Sequence, residues 1–126
     1  MPEQRDRILF VDDDPELREI VCSQLIEAGF EVDQAESGDI ALRKLSKGKF
    51  DIVLLDIKLP DASGIDLLKF ITARSLPCRV IMLTGVVGLG TAIESLTMGA
   101  DDYITKPYTL EHLLSAIRRS LEHRLA

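Results

Sequence analysis

Acidic and hydroxyl side chains stand where apolar runs stop in this chain. Asp12, Asp13 and Asp14 follow Ile8-Leu9-Phe10-Val11, Asp56 follows Ile52-Val53-Leu54-Leu55, and Thr84 follows Val80-Ile81-Met82-Leu83. Short continuous runs of branched and aliphatic residues predict strands buried on both faces, so these acids lie at strand ends where their charges cannot simply disperse into water. Like charges gathered at one place need a cation. Hard oxygen ligands suit Mg²⁺, which prefers octahedral oxygen coordination and keeps several waters when few carboxylates hold it. Such an ion relieves the repulsion and bridges one carboxylate to an incoming phosphoryl group. Thr84 offers a hydroxyl, and Lys106, after Asp102-Tyr103-Ile104-Thr105, offers a compact positive charge to a phosphoryl oxygen. The set describes a phosphorylatable carboxylate.

Residues so far apart in sequence act together only if the fold gathers them. Leu17, Ile20, Val21, Leu25 and Ala28 recur at helical spacing, opened by Asp14-Pro15 as N-cap and first-turn proline and closed by Gly29. Ile40, Ala41 and Leu45 predict a second helix behind Ser37-Gly38 and before Gly48. Leu67, Leu68 and Ile71 predict a third after Gly64, and Ala92, Ile93 and Leu96 a fourth before Gly99. Leu110, Leu113, Leu114, Ile117 and Leu121 predict the fifth. Strands are expected near 7–11, 31–35, 50–56, 79–84 and 102–105. Five βα repeats make an α/β, doubly wound (βα)5 fold with a five-stranded parallel sheet.

The runs at 8–11, 52–55 and 80–83 are continuously apolar, whereas Glu31-Val32-Asp33-Gln34-Ala35 and Asp102-Tyr103-Ile104-Thr105 are mixed, which makes strands two and five the edges. Right-handed crossovers then give the flavodoxin-like order 2-1-3-4-5. The winding reverses between strands one and three, and ligands of open α/β sheets bind at the carboxyl ends beside such a reversal. Asp12, Asp13 and Asp56 meet there.

Composition narrows the setting. A chain of 126 residues is long enough for one ordinary core, and no apolar run approaches the ~20 residues that span a bilayer. Met1-Pro2-Glu3-Gln4-Arg5-Asp6-Arg7 lacks the apolar segment of a secretory signal, so cytoplasmic residence is the expectation, with no membrane partner. A net charge of −6 gives no footprint for direct nucleic-acid binding; Arg118, Arg119 and Arg124 form only a weak basic cluster.

Taken singly, the residues have plain explanations. Asp14 is a helix N-cap, Asp12 and Asp13 are acids favoured near a helix N-terminus, and Thr84 is an ordinary strand end. Lys106 before Pro107 is an exposed turn, and Tyr103 an edge-strand aromatic with its hydroxyl in water. Cys22 and Cys78 lack C-x-x-C spacing and read as packing residues, and His112 and His123 lack a partner at metal-ligand spacing. Asp56 is the hardest to explain this way, since an acid ending such an apolar run must be solvated, paired or capping a loop.

From about Arg7 to Leu121 the chain resembles the receiver domains of two-component response regulators. The pieces that carry the resemblance are Ile8-Leu9-Phe10-Val11-Asp12-Asp13-Asp14-Pro15, Asp51-Ile52-Val53-Leu54-Leu55-Asp56 with Leu59-Pro60-Asp61 and Gly64, Val80-Ile81-Met82-Leu83-Thr84-Gly85, and Gly99-Ala100-Asp101-Asp102-Tyr103-Ile104-Thr105-Lys106-Pro107-Tyr108. The resemblance implies one receiver domain over 1–126. In it Asp56 is the phosphoacceptor, Asp13 the direct Mg²⁺ ligand, Asp12 a ligand acting largely through water, and the Lys58 carbonyl the remaining protein ligand. Thr84 and Tyr103 are the implied switch pair, Lys106 contacts the phosphoryl group, and the bond before Pro107 is cis. A histidine kinase or phosphotransfer protein supplies the phosphoryl group, and the surface of helix four, strand five and helix five reports it to an output partner or effector domain outside the chain.

Two positions depart from common family patterns. Val86 and Lys58 offer no carboxylate or amide to orient a hydrolytic water, which predicts a persistent phosphoryl group. Val86-Val87-Gly88-Leu89-Gly90 places two glycines where helix four should start, predicting weak helical order and an exposed apolar loop. The 99–106 stretch is similar to transcription-factor receivers that form a phosphorylation-dependent dimer, with Asp101, Asp102 and Arg118 able to take part. Glu94, however, stands where that group carries a basic residue. Two rivals differ in class. Asp12-x-Asp14 with Thr84 and Lys106 resembles a haloacid-dehalogenase-like phosphatase, a scheme that leaves Asp56 without a task, and a receiver-like interaction module would need no phosphorylation.

Overall fold

Continuous burial decides the centre of the sheet. The computed structural model describes residues 5–85 and 88–123. In chain order the elements are β1 (Arg7–Val11), α1 (Pro15–Glu27), β2 (Glu31–Ala35), α2 (Gly38–Lys47) and β3 (Ile52–Asp56), then α3 (Gly64–Ala73), β4 (Arg79–Thr84), α4 (Leu89–Thr97), β5 (Asp102–Thr105) and α5 (Leu110–His123). All strand pairs are parallel and the order is β2-β1-β3-β4-β5, as handedness and burial predict. Every residue of β3 is buried, while β2 and β5 are mostly half-exposed edges. β3 begins two residues later than the expected range of 50–56. The backbone of Asp51 instead bonds Arg7 O and the Arg79 N–H, each at 2.8 Å, at the mouth of the strand.

Alternation along the strands divides the core between two layers. Leu9, Val11, Val53, Leu55, Val80 and Met82 pack with Ala41 and Leu45 of α2 and Leu67, Leu68 and Ile71 of α3. Ile8, Phe10, Ile52, Leu54, Ile81 and Leu83 face α1 through Val21, Cys22 and Leu25 and α5 through Leu113, Ala116 and Ile117. α4 lies against β4 and β5, and Met98 and Ala100 at its exit join the first layer. Each fully buried large aliphatic side chain contributes roughly 1.5–3 kcal/mol, so the central strands anchor the loops at their carboxyl ends.

Caps decide where those loops stop. Asp14 Oδ1 accepts the Glu16 and Leu17 amides at 3.0 and 3.3 Å, with Pro15 in the first turn of α1. Gly29 after α1 and Gly99 after α4 adopt φ of 103° and 111°, a region open to glycine. Ser63 and Asp66 form a capping box on α3, with the Ser63 amide donating to Asp66 Oδ2 at 3.2 Å. α4 starts after Gly88 with no side-chain cap, so Gly90 falls in its first turn, where two glycines weaken the start. Val86 and Val87, of the expected apolar loop, lie outside the described residues. Among the described residues no helix is long and apolar enough to cross a membrane.

Candidate functional site

Register brings the strand ends level. Val11 pairs with Leu55, Asp56 with Leu83, and Thr84 with Thr105, so Asp12, Asp56, Thr84 and Lys106 share the carboxyl edge of the sheet. Asp12 is fully buried: its N–H donates to Ala35 O at 3.1 Å, and its Oδ1 accepts the Asp14 amide at 3.0 Å. Asp56 is also buried, and its Oδ1 accepts the Lys58 amide at 3.1 Å. Lys106 Nζ donates to Asp12 Oδ2 at 2.8 Å and to Asp56 Oδ2 at 3.0 Å. Asp13 stands exposed beside them, and one oxygen each from Asp12, Asp13 and Asp56 lies within 4.8 Å of the others. Burial pushes the Asp56 carboxyl up from its ordinary value, and Asp12 adds to this against the pull of Lys106. Burial disfavours the Lys106 charge, but hydrogen bonds and attraction from both carboxylates outweigh it and raise its pKa. The result is two buried carboxyl groups sharing one lysine, with the exposed Asp13 beside them.

Thr84 closes the neighbouring wall. Its Oγ1 donates to Gly85 O at 2.9 Å, and its carbonyl accepts the Lys106 amide at 2.7 Å. A cleft of about 420 Å³ runs between Asp56, Ile57, Lys58, Thr84, Gly85, Gly88 and Thr91. Gly88 leaves room for the Thr84 hydroxyl, which a Cβ at that position would force aside. Tyr103, register partner of Met82, is half-buried against the layer that carries α2 and α3. The Lys106–Pro107 bond is cis, as the resemblance implies.

Four residues at the site play parts that the sequence did not assign, although Asp61, Gly64 and Tyr108 stand within the motifs that carry the resemblance. Arg18 on α1 donates from Nη1 to the Asp12 carbonyl at 2.8 Å and from Nε to Gln34 Oε1 at 3.0 Å. Asp61, past β3, accepts the Gly38 and Asp39 amides at 2.8 and 3.0 Å and so caps α2 from a distant loop. These bonds, Gly38 first, hold its carboxyl below the usual value. Gly64 lets that loop turn back under β3, since a Cβ would strike the Asp56 carbonyl oxygen. Tyr108 buries its hydroxyl with no hydrogen-bond partner, and burial pushes its pKa to about 12.

The other expectations sort cleanly. Burial raises both Cys22 and Cys78 to about 11, which suits packing residues. His112 is exposed, and the His123 side chain lies outside the described residues. Arg119 rather than Arg118 pairs with Asp102, at 3.1 Å. Asp101 is engaged within the fold, accepting the Val80 amide at 2.7 Å. Asp14 is committed to the amides of α1, so the Asp12-x-Asp14 phosphatase scheme lacks its second acid.

The family model for the response regulator receiver domain matches residues 8–118. The chain belongs to the receiver domain family. Among curated relatives of this receiver, the transcriptional regulatory protein DltR of Streptococcus agalactiae is 39% identical over 112 residues, 89% of this chain and 50% of its own. The transcriptional regulatory protein CusR of Escherichia coli K12 is 32% identical over 120 residues, 95% of this chain and 53% of its own. The receiver thus spans about half the length of the curated relatives it matches. A CheY-like receiver domain protein from Methanospirillum hungatei JF-1 superposes with a TM-score of 0.90 at 36% identity, covering 95% of this chain and 96% of that one. A receiver domain protein from Clostridium thermocellum gives 0.89 at 32% identity, covering 94% and 96%.

Proposed function

We propose that this receiver takes a phosphoryl group onto Asp56 from a phosphohistidine of a histidine kinase or phosphotransfer protein. The observation that carries this reading is Lys106 spanning Asp12 and Asp56, with a third carboxylate beside them. The donor set is all hard oxygen and fits Mg²⁺, which Asp12, Asp13, Asp56 and the Lys58 carbonyl would hold. When bound, the ion supplies charge neutralisation at the transferring oxygens.

A carboxylate oxygen of Asp56 forms the new bond to phosphorus while the phosphorus–nitrogen bond of the donor imidazole breaks, and its electron pair stays on that nitrogen. Lys106 meets the charge on a phosphoryl oxygen from its position at the end of β5. The Thr84 hydroxyl leaves Gly85 O to donate to another phosphoryl oxygen. Tyr103 then turns toward the space left beside Thr84, changing the α4, β5 and α5 surface. The receiver acts as a phosphorylation-dependent switch that assists its own modification and loss of the group, in the cytoplasm. Its output is a partner or C-terminal effector domain outside this chain, with a phosphorylation-dependent dimer as one form.

Incubation with a small acyl phosphate and Mg²⁺ tests the assignment by intact mass. Wild type gains one phosphoryl group and Asp56→Asn does not; equal labelling of both overturns it.

A further inference from the structure

We infer that Arg18 is a positioning residue for the metal-holding acids, fixing the Asp12–Asp13 peptide so that the Asp13 carboxylate is aimed at the site. The inference rests on the proposed role of Asp12, Asp13 and Asp56 in holding Mg²⁺.

Arg18 stands in the first turn of α1, just past the loop it restrains, its amide donating to Asp14 O at 3.0 Å. From α1 its side chain reaches back across the carboxyl edge, with Nη1 on the Asp12 carbonyl and Nε on Gln34 Oε1 of β2. The Gln34 carbonyl accepts Lys44 Nζ at 2.6 Å, so the outer anchor is itself tied to α2. Asp12 is therefore gripped through its amide by Ala35, through its two carboxylate oxygens by Asp14 and Lys106, and through its carbonyl by Arg18. Asp13 is exposed and depends for its direction on the peptide plane before it, whose oxygen Arg18 holds. A planar guanidinium bonding through two nitrogens sets direction as well as distance, which an ammonium does not. Groups that orient metal ligands typically change affinity by roughly 10–100-fold.

The sign of the effect separates aim from charge. A cation beside an acidic cluster opposes a second cation, so a purely electrostatic Arg18 weakens metal binding and its removal tightens it. Positioning predicts the reverse.

Calorimetric titration of Mg²⁺ into the whole chain, with thermal unfolding followed in chelator, decides the matter. Wild type binds, and Asp13→Asn weakens binding. Arg18→Met weakens binding by about tenfold or more, and Arg18→Lys falls between it and wild type. Gln34→Ala, which frees the guanidinium while leaving Lys44 and the backbone in place, also weakens binding, and adds little to Arg18→Met. Tighter binding by Arg18→Met, or wild-type affinity in both Arg18→Met and Gln34→Ala, overturns the inference. If Arg18→Met does not fold, Gln34→Ala alone decides. A wild-type chain that fails to bind Mg²⁺ overturns the proposed function itself.

Discussion

Lys106 lies 2.8 Å from Asp12, an acid with no exposed surface. Without metal this lysine is the cation that makes two buried carboxylates tolerable. Lys106→Met should lower stability in chelator by about 1–3 kcal/mol, less than the ~3–5 for a fully buried pair because Lys106 is partly exposed. Mg²⁺ should restore much of the loss. Urea titrations with and without the ion check this; a deficit that Mg²⁺ leaves untouched would show that Lys106 does not stand in for it.

Asp61 supplies a prediction about acid. Its carboxyl is held below the ordinary aspartate value of 3.8 by the Gly38 and then the Asp39 amide, against the opposing effect of burial. A depressed folded pKa adds stability that is present above the unfolded value and is lost as pH falls through the folded one. The denaturation midpoint of Asp61→Ala should therefore trail wild type at pH 7 and converge on it once the pH is well below 3.8. A gap that is constant with pH would remove the capping role.

Gly64→Ala should injure the site more than its distance from the chemistry suggests. The added Cβ falls 2.9 Å from Ile57 Cα and against the carbonyl of Asp56, with backbone rather than a flexible side chain in the way. Overpacking of this kind costs about 1–3 kcal/mol. Thermal melts and acyl-phosphate labelling should fall together, and normal labelling in a destabilised variant would separate loop shape from Asp56 placement.

The proposed phosphoryl group should persist, given the residue types at positions 58 and 86. Lys58 gives Asp56 an amide at 3.1 Å but no side-chain acceptor for water, and Val86 is apolar. A carboxylate at either place should hasten loss of the group by on the order of tenfold, well under the ~10²–10⁴ of a well-placed general base. Decay of the labelled mass in Lys58→Glu and Val86→Glu gives the answer. Rapid decay in wild type, no faster in either variant, would refute it.

Strand order and the strand-end acids were readable because double-sided burial leaves an unbroken apolar run, and a polar residue ending it has few innocent placements. Asp12, Asp56 and Thr84 were found that way, whereas Lys106 follows the mixed edge strand and drew notice only beside them. The supports were not found that way. An arginine on the first helix reads as a solvated side chain, and only the return of β2 beside β1 shows that Arg18 reaches Asp12 and Gln34 together. Local capping rules find Asp14 and Ser37 but not Asp61, which caps α2 from 22 residues later in the chain. Arg118 and Arg119 differ by one step around α5, and packing of that helix selects Arg119 for Asp102.

The Asp61 cap also imposes an order of assembly. The first amides of α2 find their carboxylate only after β3 has been made and the loop beyond it has closed. Until Asp61 arrives during synthesis, the start of α2 has only Ser37 as its cap. In the finished protein, hydrogen exchange at Gly38 and Asp39 should report opening of the loop after Asp56 rather than unwinding of α2. A probe on one helix would then record the breathing of a different segment.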